Sequence, residues 1–405
     1  NNTRVIHIGP WKSPAVEKTV GRLLSCPPGS VPAAVDGLAE HAPDIVDSLR
    51  GAGAVICVGE RAAEVPGLFD AVRQLSDDTG ARIAWIPRRA GERGALYAGA
   101  APNLLPGGRR VTDSASRAQL ERAWRLPEGC SLPATEGRDT DAILAAAAAG
   151  ELSGLVIGGV DPADLADPGL AEEALRRADF VLSLELRPSA ATEQADVVLP
   201  VAPSVEKSGS YLNWEGRHRP FDVTVEGTGA LPDCRVLDTL AIEMDFDLFT
   251  QTPAAAAGDL ARLGFVSRST TSATSATTKD TEQRAKPGPG EALLATWRQL
   301  LDNGSMQDGE PHLAGTAREA VARISEGTAQ GLRVELPGRI GVGTDRGWIS
   351  IDAEAADMPD DVVWLPTNSG PSAVRRLLAA GHGSVVRLSS AARPVTTREN
   401  EDGTR

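Results

Sequence analysis

The chain has 405 residues, with 41 Lys plus Arg against 55 Asp plus Glu and a net charge of −14. That balance excludes a nucleic-acid partner, because neutralising phosphates takes a basic face. Only 4% of the residues are aromatic, so the core must be built from Ala, Val and Leu, and the length predicts two or three domains.

The first methionine is Met244, so Asn1 is not a translation start and the chain reads as processed or as a piece of a longer polypeptide. The start shows no charged-apolar-small leader, and no apolar run reaches the roughly 18 residues of a membrane helix. Cys26, Cys57, Cys130 and Cys234 are 31, 73 and 104 positions apart, which is neither a metal-ligand nor a CxxC spacing. A reducing compartment is favoured over disulfides. The 36 Arg to 5 Lys, with abundant Ala, Gly and Pro, point to a high-GC bacterial genome.

Residues 1–150 alternate strands and helices in a Rossmann-like α/β region. VIHIG (5–9) reads as a strand, and amphipathic helical spacing follows over 14–25 and 31–50. AVICVG (54–59), PGLFDAVRQLSDDTG and ARIAWIP (81–87) make a strand-helix-strand unit whose near-continuous apolar strands predict a parallel sheet covered on both faces. After the Gly/Pro-rich stretch 94–110 the same grammar returns over 151–266. GLVIGG (154–159), a helix at 169–178, DFVLSLEL (179–186) and DVVLPVA (196–202) complete a second unit, so the fold class is α/β with doubly wound, mostly parallel sheets. Residues 267–290 are a Ser/Thr stretch ending in Pro-Gly and read as a linker. Helical patches at 291–302 and 316–325 predict a helical connection over 291–330. From 331 to 391 short apolar segments (LRVELP, RIGVGT, GWISID, DVVWLP, SVVRLS) around a helix at 371–380 predict a small C-terminal β-barrel. The polar tail 392–405 is expected to fray.

Catalytic signatures are sparse. Gly51-Ala52-Gly53 precedes its strand, whereas a dinucleotide fingerprint follows one. The turn Gly158-Gly159-Val160-Asp161-Pro162 follows a strand and reads first as a tight βα turn, second as a ligand approach. His7, His41, His218, His312 and His382 have no ligand spacing, so no metal site is expected. Cys57 reads as a small hydrophobe in a buried strand, and Cys26 as a loop thiol with no neighbour to activate it. No catalytic residue is assigned. One segment differs: ADVVLPVAPSVEKSGSYLNWEGRHR (195–219) ends a strand in a loop dense with Glu206, Lys207, Asn213, Glu215 and Arg217. Such a loop at the carboxyl edge of a sheet is where α/β proteins bind ligands. Binding and a self-satisfied corner, with Glu206 meeting Arg217, are weighed evenly, and a buried Arg217 would be needed for folding.

That segment resembles the hallmark of the molybdopterin oxidoreductase superfamily, an ADVVLP strand leading into E-k-x-G-t-x-x-N-x-E-G-R. Glu206, Gly209, Asn213, Glu215, Gly216 and Arg217 match it, with Ser210 where threonine is usual. RAGERGALYAGAAPNLLPGGR (89–109) and TWRQLLDNGSMQDGEPHLAGTAR (296–318) resemble the large iron-sulfur subunit family, the G subunits, of bacterial NADH-quinone oxidoreductases, respiratory complex I, in its actinobacterial form. GWISIDAEAADMPDDVVWLPTNSG (347–370) resembles the superfamily's C-terminal barrel. The resemblance implies the molybdopterin-enzyme-like, carboxy-terminal half of an iron-sulfur subunit. The [2Fe-2S] and [4Fe-4S] clusters would be bound upstream, since none of the four cysteines here matches a cluster set.

On this reading the region is a non-catalytic scaffold that holds no cofactor and no molybdopterin. The six matched residues would form a vestigial pterin loop. Its partners would be other subunits of the complex I peripheral arm, on the cytoplasmic side of the bacterial plasma membrane, without insertion. Two alternatives are a fragment of an active molybdopterin-dependent oxidoreductase, in which Glu206 to Arg217 and Thr367 to Gly370 touch the cofactor, and a free-standing small-molecule-binding module.

Overall fold

The computed structural model describes residues 3–264, 286–307 and 309–390. β1 (Ile6–Gly9), α1 (Pro14–Lys18) and β2 (Arg22–Ser25) open the chain, followed by α2 (Val31–Asp36), α3 (Leu38–His41) and α4 (Pro43–Leu49). β2 replaces the end of the helix expected over 14–25: Gly21 closes α1, and Leu23 and Leu24 join a parallel ladder with β1. The helix expected over 31–50 is three, broken at Gly37 and again before Pro43, which has no amide hydrogen to carry a helix through.

β3 (Val55–Gly59), α5 (Leu68–Thr79) and β4 (Arg82–Ile86) form the expected parallel unit, with Ile56 opposite Ile83. α5 stops at Gly80, whose φ of 75° suits glycine. Val58, Leu68, Ala71 and Val72 pack with Val35 of α2, and Ile8 and Leu75 also reach Ile45 and Val46 of α4, so β1, β2 and β3 share one core. The opposite face is open: Val55 and Cys57 are exposed. Cys57 is therefore not the buried hydrophobe its apolar neighbours suggested, because helices cover only one side of this pair of strands.

α6 (Glu92–Ala98), β5 (Leu104–Leu105), β6 (Arg109–Arg110), α7 (Ser114–Ala123) and α8 (Thr140–Ala148) lead to a second sheet. It consists of β7 (Gly154–Gly158), β8 (Phe180–Glu185) and β9 (Val197–Pro200), all parallel and in that order, with α9 (Pro168–Arg177) crossing between the first two. A hairpin, β10 (Gly209–Leu212) and β11 (His218–Phe221), then precedes α10 (Asp233–Glu243) and α11 (Pro253–Leu263). Ala147 of α8 and Ala174 and Leu175 of α9 pack on Leu155 and Val181, while Val236 and Leu240 of α10 pack on Leu182, Leu184 and Leu199 from the other side. Helices on both faces make this sheet doubly wound.

The C-terminal region is a closed six-stranded barrel in the order β12-β16-β13-β15-β14-β19. Its chain order is β12 (Glu291–Trp297), α12 (Pro311–Ala314), β13 (Ala322–Ile324), α13 (Glu326–Leu332), β14 (Gly338–Gly343), β15 (Trp348–Ala355) and β16 (Val362–Pro366). The small pair β17 (Asn368–Ser369) and β18 (Ser372–Ala373), α14 (Val374–Leu378) and β19 (Val385–Ser389) complete it. The helical connection expected over 291–330 is thus wrong in two places: 291–297 and 322–324 are barrel strands. Glu-Ala-Leu-Leu-Ala favours helix by propensity, but β12 is held between β16 and β19 and is buried on both faces, with Leu294 inside and Ala295 against Trp364. LRVELP, expected as a strand, is the end of α13 and a loop. Within β14, a Cβ on Gly341 or Gly343 would collide with the Trp348 ring that lies across them. The Ser/Thr stretch from 267 to 285 and the tail 392–405 lie outside the described residues. Among the described residues no helix is long and apolar enough to cross a membrane.

Candidate functional site

The motif segment folds as a surface hairpin whose polar residues satisfy one another. Glu206 ends a single 3₁₀ turn after β9, and its carboxylate accepts a hydrogen bond from Thr228 Oγ1 at 2.8 Å. Lys207 pairs with Asp233 at the start of α10. Gly209 lies opposite Phe221, where a Cβ would sit 2.7 Å from the ring, and that ring stacks on Tyr211 with centroids 5.3 Å apart. In the turn, Asn213 Oδ1 accepts from the Arg217 amide at 2.8 Å and Asn213 Nδ2 donates to Glu215 at 3.3 Å. Glu215 also meets Arg217 Nε at 3.1 Å. Gly216 has φ of 83°, a conformation that favours glycine. The spacing N-x-E-G-R is therefore what closing this turn requires.

Glu206 and Arg217 do not meet, contrary to the internal pair considered from sequence. Arg217 is not buried either: its side chain is 65% exposed. Truncating it strands no buried charge, so Arg217→Ala should shift stability by at most about 1 kcal/mol. Asn213→Ala, which removes the acceptor that holds the turn, should cost about 1 to 2 kcal/mol. Urea unfolding of both variants checks the order, and an Arg217 effect larger than the Asn213 effect would contradict it.

The hairpin rests on α6. Arg93 Nη1 donates to the Trp214 carbonyl at 2.8 Å, and Gly91 and Gly94 lie under Tyr211 and Leu212. Two stretches far apart in sequence, 89–109 and 206–217, are thereby brought together.

A cleft of about 290 Å³ lies between the second sheet and the barrel. Asp161 and Asp164 enter it from the turn after β7, Arg298, Asp302 and Asn303 from the segment after β12, and Thr367, Asn368 and Gly370 with Arg375 and Arg376 from the barrel. None of Glu206, Gly209, Asn213, Glu215, Gly216 and Arg217 lines it. Two of its residues are engaged within the protein. Arg375 Nη1 donates to the Asp164 carbonyl, the Asn303 amide to Asn368 O at 2.8 Å, and Asn303 Nδ2 to Gly370 O at 3.2 Å. The turn Gly158 to Pro162 thus reaches a cleft as well as making a tight βα turn, with Asp161 capping the 3₁₀ turn that follows. Arg298, Asp302 and Asn303 lie in the 296–318 stretch that carries the family resemblance, but neither they nor Arg375 read locally as cleft residues, because three distant segments must fold before they converge.

Arg61 ties the first α/β unit to the barrel. Its Nη1 reaches the Thr296 carbonyl at 3.4 Å and its guanidinium lies 4.6 Å from the Trp297 ring centre. All four cysteines are free. Burial pushes the Cys26 thiol up to about 11, so at pH 8 it is protonated while Cys57 and Cys130 stand exposed. Iodoacetamide at pH 8 should modify Cys57 and Cys130 first, with Cys26 reacting only on unfolding. Early modification of Cys26 would contradict its burial. Among the described residues no group of three or more His, Cys, Asp or Glu is placed to hold a metal ion.

The family model described as molybdopterin oxidoreductase matches residues 60–235. The NADH-quinone oxidoreductase G subunit of Mycobacterium tuberculosis is 49% identical over 388 residues, 95% of this chain and 47% of the relative. That of Streptomyces coelicolor is 42% identical over 399 residues, 96% of this chain and 47% of the relative. The chain spans about half the length of these curated relatives. Among solved structures, acetylene hydratase from Pelobacter acetylenicus aligns over 94% of this chain and 70% of its own at 13% identity, with a TM-score of 0.46.

Proposed function

This chain belongs to the G-subunit family of NADH-quinone oxidoreductases and carries its molybdopterin oxidoreductase-like domain, and from that membership we propose that it is a scaffold without an active site of its own. It would serve a proton-pumping complex that passes electrons from NADH to quinone. The observation that carries this reading is the similarity to these subunits over nearly the whole chain. The [2Fe-2S] and [4Fe-4S] clusters belong on this reading to the part of the subunit outside the matched half. The partners are other subunits of the peripheral arm, on the cytoplasmic face of the membrane.

The cleft supports a scaffold that holds no pterin. A pterin dinucleotide brings phosphates, and here Asp161, Asp164 and Asp302 line the walls beside arginines and amides, of which Arg375 and Asn303 are already bonded internally. At about 290 Å³ the space sits at the small end of ligand sites. None of the four cysteines lines it to offer molybdenum a thiolate. These residues do not fit the group, and the hairpin holding Glu206, Gly209, Asn213, Glu215, Gly216 and Arg217 is on this reading a structural remnant of a pterin loop.

Affinity isolation of the tagged full-length subunit tests the assignment. It should bring down the other respiratory subunits together with NADH-quinone reductase activity. Isolation of a lone protein without that activity would overturn it.

A further inference from the structure

β7 has the composition of an interior strand and lies at an edge. Residues 152–160, LSGLVIGGV, contain no charge and no proline, the devices by which edge strands avoid pairing with other chains. The ladder to β8 uses alternate residues: the Phe180 amide donates to Ser153 O at 3.0 Å and the Gly159 amide to Leu184 O at 3.1 Å. The amides of Gly154, Val156 and Gly158 therefore point toward the free edge, where none of the described strands lies. α10 covers β8 and β9 on one face but leaves Val156 of β7 67% exposed. Parallel strands in soluble proteins are covered on both faces.

The surface area points the same way. The chain exposes 25365 Å², whereas a self-contained monomer of 42.2 kDa exposes about 15,000 Å². Even if every residue outside the described set were fully extended, these would add only on the order of 6,000 Å². About 4,000 Å² is left over, more than one partner's share of a standard interface. A second copy is a poor occupant, since each would bring a net charge of −14 to the contact. The relatives that match nearly all of this chain are about twice its length.

We propose that the free edge of β7 and the open face over Val156 are completed by a strand and an apolar segment from the part of the full-length polypeptide outside the matched half. The inference rests on the family reading above and adds to it where the two halves of one subunit join. Because the segment is tethered, a high effective concentration holds it in place without a tight separate affinity.

Hydrogen exchange on the isolated full-length subunit tests this. All amides of 154–158, and not only those of Leu155 and Ile157 that bond β8, should exchange at least about a hundredfold more slowly than free amides. Val156→Lys should abolish that protection at Gly154, Val156 and Gly158 while the β8 amides keep theirs. Free exchange at these three amides in the wild-type subunit would overturn the proposal. Protection that depends on protein concentration, or that appears only when other subunits are added, would overturn it too. Failure of the scaffold reading is separately visible, because a subunit could show this protection and still isolate without respiratory partners.

Discussion

Arg109→Ala should lower the unfolding free energy by about 3 to 5 kcal/mol. Arg109 is 2% exposed and holds three elements at once. It donates to Pro106 O at 2.8 Å, to Leu263 O at 2.7 Å, to Gly264 O at 2.9 Å and to Gln119 Oε1 at 3.1 Å. Leu263 and Gly264 end α11, where the helix leaves carbonyls without partners and carries partial negative charge. Alanine would leave these acceptors buried and unpaired, with a cavity beside them. Arg109→Lys keeps the charge but offers it from one point rather than a planar fork, so it should recover only part of the loss. Urea unfolding measures both, and an alanine variant within about 0.5 kcal/mol of wild type, the range of ordinary surface changes, would show that the clamp is not formed.

Leu365→Ala should cost about 3 to 4 kcal/mol in the barrel. Leu365 is fully buried in β16, a strand paired in parallel with β12 and antiparallel with β13. It belongs to the cluster of Leu294, Ile324, Ile340 and Ile351 that fills the interior. A closed barrel cannot easily collapse around a missing side chain, because its ladder fixes the spacing of the walls. Leu365→Met, which nearly conserves volume, should lose less than about 1.5 kcal/mol. If both substitutions had equal effect, packing at this position would not be what closes the barrel.

Which parts of this structure could be read from the residues follows from where the forces are local. β3, β7, β8 and β9 are legible because each is an apolar run between turn residues, and the doubly wound arrangement follows from their alternation with helices. β12 is not, since Glu, Ala and Leu carry helix propensity and only its neighbours on either side make it a strand. β2 is misread for the same reason: its pairing with β1 decides, not its composition. The hairpin residues stand out because Asn213, Glu215, Gly216 and Arg217 interact within five positions. Nothing in the local pattern reveals that Arg217 is exposed, because burial depends on what packs from outside the segment. The cleft is invisible to local reading: Asp164 and Arg375, which touch across it, are more than two hundred residues apart.

A scaffold and a working pterin enzyme differ most plainly in their metal content. Elemental analysis of the purified full-length subunit should find iron from the clusters with only traces of molybdenum and tungsten if this half is a scaffold. One equivalent of either metal per chain would contradict that assignment.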